Sequence, residues 1–153
     1  MLERLVVYPN DDRDHLGFCL RVLAEALLDT GDVHRALEQA RKGEQIWTTI
    51  FAERPAYAAE QYGKALPVLA RAELAVEGRA SAVATLAQGI ERIMPFFEQR
   101  PRALRGVMDG LVGTLREIDP VAVAEYIPAP LIDRLEQLAG RAESGSLSTA
   151  RPA

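Results

Sequence analysis

The residues best able to do chemistry crowd near the start of the chain. Asn10-Asp11-Asp12-Arg13-Asp14 sets oxygens at the first, third and fifth places of a candidate calcium loop. Such a loop needs glycine at its sixth place for the sharp turn and a bidentate glutamate at its twelfth. Those places hold His15 and Arg21, so the run fails as a calcium site and reads as the capping start of a helix. The two histidines, His15 and His34, fall near opposite ends of one helical hairpin, and Cys19 lies one turn from His15. A metal or a Cys-His pair would need a further ligand at useful spacing, and none follows. The lone thiol reads as core. No catalytic residue, metal or cofactor is assigned.

The elements that would position these groups are helical throughout. Leu16, Leu20, Leu23 and Leu27 form one stripe at helical spacing, and Gly31 stops that helix. A second follows Asp32 with Val33, Ala36, Leu37, Ala40, Trp47, Ile50 and Phe51 on one face, stopping near Glu53 because a residue before proline leaves helical geometry. Trp47 is expected to pack between units. The third carries Tyr62, Leu66, Leu69, Ala70 and Leu74 and ends around Gly78; Pro67 sits inside it, leaving the Gly63 carbonyl without an amide. The fourth and fifth stop before Pro101 and Pro120, with Pro95 near the end of the fourth. Gly106, Gly110 and Gly113 bare one face of the fifth, for close helix packing first and a shallow partner-binding trough second. One or two turns follow before Pro128 and Pro130, and a last helix runs to about residue 140 or 143. Residues 1–143 form one all-α domain, and residues 144–153 a flexible tail.

Bulk properties narrow the function. A net charge of −4 gives no footprint for nucleic acid, and no apolar run is long enough to span a membrane. A single cysteine excludes an internal disulfide and fits a cytoplasmic location.

The chain also repeats itself. Pro9, Pro55 and Pro101 are spaced by 46 residues, and at the same offset Leu5 matches Phe51 and Phe97, Leu20 matches Leu66 and Val112, and Leu23 matches Leu69 and Leu115. Arg-Pro then marks the corner between units, each unit being an antiparallel helix pair. Residues 1–9 read as the remnant of a preceding helix. Within the first unit, Leu23, Ala24, Leu27, Gly31, Asp32, Ala36 and Ala40 follow a pattern that resembles the tetratricopeptide (TPR) repeat. The second unit keeps Leu69, Ala70 and Ala82 and moves its turn glycine to Gly78; the third has Arg116 where a small residue belongs, as in a capping unit. With a period longer than the family's usual ~34 residues, the chain is similar to the long-helix variety attached to bacterial signalling ATPases and regulators.

The resemblance implies a right-handed superhelical stack of about two and a half to three helix pairs, an α-solenoid whose first helices line a concave groove. It places Phe18, Arg21 and Glu25 on that wall, then Lys64, Pro67 and Arg71, then Glu117. Glu25 stands where the family's carboxylate clamp has asparagine, so a partly acidic helix or extended peptide of another protein is the expected partner. The expectation is a protein-binding scaffold or sensor module of a bacterial regulatory or signalling system, and not an enzyme. The rivals are a small enzyme or ligand-binding domain using His15 or Glu60 near Pro67, and a self-assembling homo-oligomer joined through open ends.

Overall fold

The computed structural model describes residues 12–147. These fold into α1 (Asp12–Asp29), α2 (Val33–Glu53), α3 (Pro55–Val76), α4 (Arg79–Gln99), α5 (Pro101–Ile118), α6 (Pro120–Tyr126) and α7 (Ala129–Leu147), with no strand among the described residues. Each helix from α1 to α5 packs on the next, while α1 also touches α3, and α3 touches α5. The expectations for residues 1–9 and for the tail from 148 onward lie outside the described residues. The last helix passes its expected stop, reaching Leu147, because no proline interrupts it after Pro130.

Local chemistry sets the boundaries. Gly31 at φ 82° lets α1 turn back: its amide reaches the Leu28 carbonyl at 3.1 Å while Asp32 reaches Leu27 at 2.9 Å, a paired closure of the helix end. The two Arg-Pro corners match closely. Arg54 sits at φ −140°, ψ 71° and Arg100 at φ −136°, ψ 65°. The Arg54 amide closes α2 on the Ile50 carbonyl at 2.7 Å, and the Arg100 amide closes α4 on Phe96 at 3.0 Å. Each following proline occupies the first helical position, where a missing N–H costs nothing. Pro67 lies well inside α3, which runs continuously through it, and is not the start of a helix.

The interior repeats the same step. Leu66, Leu69, Ala65 and Tyr62 of α3 are buried, as are their 46-residue counterparts Val112, Leu115, Leu111 and Met108 of α5. A Cβ on Gly17 would lie 2.7 Å from the Trp47 ring, and one on Gly63 would lie 2.8 Å from Ile93, the counterpart of Trp47. Gly43 faces Leu20 in the way that Gly89 faces Leu66. Both helix pairs thus close on the same glycine contacts.

Two readings of the sequence need correction. The leucine stripe of the first helix is largely uncovered, with Leu16 52% and Leu23 43% exposed, against 1% for Tyr62 and 4% for Leu69 at the matching positions. Cys19, between them, is likewise exposed instead of core. The reason is the order of the elements: α2 covers this face of α3 and α4 covers it on α5, but no described helix precedes α1. The second correction concerns Gly106, Gly110 and Gly113, where an added Cβ would find nothing within 4 Å. They are not packing contacts. The third pair also departs from the first two, its second helix being broken into α6 and α7, with Asp119 capping α6 through bonds from the Val121 and Ala122 amides.

Candidate functional site

The expected groove residues fall on the odd-numbered helices: Phe18, Arg21 and Glu25 on α1, Lys64, Pro67 and Arg71 on α3, and Glu117 on α5. They form three local groups. The Arg21 guanidinium lies 5.2 Å from the centre of the Phe18 ring and 3.0 Å from Glu25 Oε1. Lys64 Nζ meets Glu60 Oε1 at 2.7 Å. Arg71 Nη2 reaches across from α3 to Glu117 Oε2 on α5 at 4.0 Å. Each expected cation therefore faces a carboxylate of its own chain, which leaves the wall mixed in charge and nearly neutral. Pro67 is half-buried and joins none of these groups.

Phe18 also borders a cleft of about 560 Å³ formed where α1, α3 and α5 lie side by side. Asp14 and His15 line it from α1, Tyr57, Glu60 and Gln61 from α3, and Arg100 from the corner before α5. Tyr57 is exposed, donates its hydroxyl to Asp14 Oδ2, and has the Arg54 guanidinium 4.1 Å from its ring centre. Arg100 Nη2 holds the Ala56 carbonyl at 3.2 Å. Two acceptors of the cleft, Asp14 Oδ1 and Gln61 Oε1, are buried with no donor among the described residues. His15 and Glu60 both line this cleft, and Pro67 does not. Trp47, which borders it from α2, is buried and packs against Gly17.

Tyr57, Gln61 and Arg100 are not among the wall residues that the repeat resemblance implied. The Arg-Pro corners carried a signal for Tyr57, since it and its 46-residue counterpart Ala103 both line the cleft.

A second cleft, of about 670 Å³, runs between α2 and α4 with α3 as its floor. Its floor holds Glu73, 7% exposed, whose Oε2 accepts a 2.7 Å hydrogen bond from Thr85 Oγ1 of α4. Loss of hydration on burial raises the Glu73 carboxyl above its ordinary range, opposed by the Thr85 bond, with Glu77 adding to the rise, Arg41 opposing it and Glu44 adding to it. The bond from Arg41 lowers the Glu77 carboxyl beside it.

Among the described residues no group of three or more His, Cys, Asp or Glu is placed to hold a metal ion. No described helix is long and apolar enough to cross a membrane. The described residues form an all-helical fold in which helices adjacent in sequence pack on one another. Compared with family models, with curated proteins and with solved structures, the chain finds no match.

Proposed function

We propose that this chain is a protein-binding scaffold, a right-handed TPR-like stack of antiparallel helix pairs that takes a peptide or helix of another protein along α1, α3 and α5. The same reading makes it a module of a bacterial regulatory or signalling system in the cytoplasm, without catalytic chemistry. The observation that carries it is the three-helix cleft, where exposed Phe18 and Tyr57 stand beside two buried acceptors that have no donor among the described residues. Exposed aromatic rings supply contact area, and an unmet acceptor costs about 1–3 kcal/mol that a partner's N–H would offset. Because Arg21, Lys64 and Arg71 already face carboxylates, the partner is held by apolar and hydrogen-bonding contacts more than by charge.

A panned random-peptide library tests this. Enriched peptides are expected to bind the double variant Phe18→Ser, Tyr57→Ser at least tenfold more weakly, with its far-UV circular dichroism unchanged. Failure to enrich any peptide, or equal binding by the variant, would defeat the reading.

Self-association is a second reading, supported by Leu16, Val22 and Leu23 exposed together on α1. Light scattering over a concentration series separates the two: a mass that rises toward a dimer and returns to that of the monomer in Leu23→Arg favours self-association.

A further inference from the structure

The cleft between α2 and α4 belongs to no part of the groove just described, and its charges do not balance. On α2 it is lined by His34, Glu38, Arg41, Lys42 and Glu44, on α3 by Glu73, and on α4 by the uncharged Thr85 and Gln88. Lys42 Nζ is taken by Glu38 at 3.0 Å, and Arg41 is taken by Glu77. Glu44 accepts only from the Thr48 hydroxyl, at 2.9 Å, and Glu73 only from Thr85, among the described residues. Once the pairs are set aside, two carboxylates face the cleft with no cation hydrogen-bonded to them among the described residues, although Arg41 acts on Glu73 through space.

A carboxylate this deeply buried is ordinarily matched by a positive group, because an uncompensated charge out of water is costly. The floor beside Glu73 is apolar, built from Leu37, Leu66 and Leu69, and suits an aliphatic stem. We propose that this cleft binds an organic cation, a primary ammonium on an aliphatic stem, with Glu73 as its counter-ion and Glu44 as the charge at its rim. The head group is the same whether it belongs to a free diamine or to a lysine side chain of another protein. Burial raises the Glu73 carboxyl, and a cation beside it would act in the opposite direction, favouring the carboxylate.

The test is a titration of the full chain followed by amide chemical shifts, with 1,4-diaminobutane, with N-acetyl-lysine amide, and with that amide acetylated on Nε as the neutral control. Saturable shifts at residues of this cleft are expected with the cationic probes only, at least tenfold weaker in Glu73→Gln and weaker also in Glu44→Gln. Glu73→Gln keeps an acceptor for Thr85; should it nonetheless fail to fold, Glu44→Gln and the neutral probe decide. Tighter binding of the diamine assigns a free amine, and tighter binding of the lysine amide assigns a protein side chain. Shifts that do not saturate, equal binding by the neutral probe, or undiminished binding by the folded variants would overturn the proposal.

Discussion

A methyl group added at Gly63 would lie 2.2 Å from Val107 Cγ1 and 2.8 Å from Ile93 Cδ1. Valine is branched at Cβ and cannot swing its methyl aside, so the helices themselves would have to part. Overpacking on the order of 1–3 kcal/mol outweighs the ~1 kcal/mol that alanine gains over glycine inside a helix. Gly63→Ala is expected to lower the urea midpoint. Gly106 presents the opposite case, exposed on α5 with nothing within 4 Å of an added Cβ. Gly106→Ala is expected to gain about 0.5–1 kcal/mol in the same measurement. The sequence marked the three glycines of α5 as noteworthy and passed over Gly17, Gly63 and Gly89. Spacing reveals where side chains are missing, but not whether another helix fills the space.

At the scale of the helix, the corners are governed by the chain's own local preferences and the covering of faces is not. Proline fixes φ and bars its predecessor from helical geometry, so the ends at Glu53 and Gln99 were readable from two Arg-Pro pairs. Leu23, Leu69 and Leu115 occupy one register position in three helices, yet the first is 43% exposed, the second 4% and the third 0%. Their truncation separates local pattern from tertiary cover. Leu69→Ala and Leu115→Ala are each expected to cost about 2–5 kcal/mol, as buried leucines do, whereas Leu23→Ala should stay within about 0.5–1 kcal/mol, near the range of surface substitutions. Equal costs at all three positions, measured by chemical denaturation, would mean that something covers α1 in solution.

Across the whole molecule the core divides in two. The larger cluster runs from Trp47 and Ile50 through Tyr62, Ile93 and Met108 to Leu138, with Phe51 stacked on Tyr62 at 5.0 Å between ring centres. The smaller joins Ala24, Ala36, Leu37, Ala40, Val68, Leu69 and Ala72, and is mostly alanine. Of helix α1 only Gly17 and Ala24 are buried. Little apolar area holds it down, so it should open before the rest. Native-state hydrogen exchange is expected to show amides near Ala24 exchanging at least tenfold faster than those near Leu66. Equal protection would show instead that α1 opens only with the entire fold.

The helix ends at Gly31, Arg54 and Arg100 and the 46-residue recurrence followed from the chain alone, since proline, glycine and apolar spacing act on their own neighbourhood. Which stripe is buried, which glycines touch a neighbour, and which charges meet, as Arg71 does Glu117 and Arg41 does Glu77, were decided by tertiary structure. The reason is physical: a side chain's spacing is a property of its own helix, whereas its exposure depends on the helix laid against it.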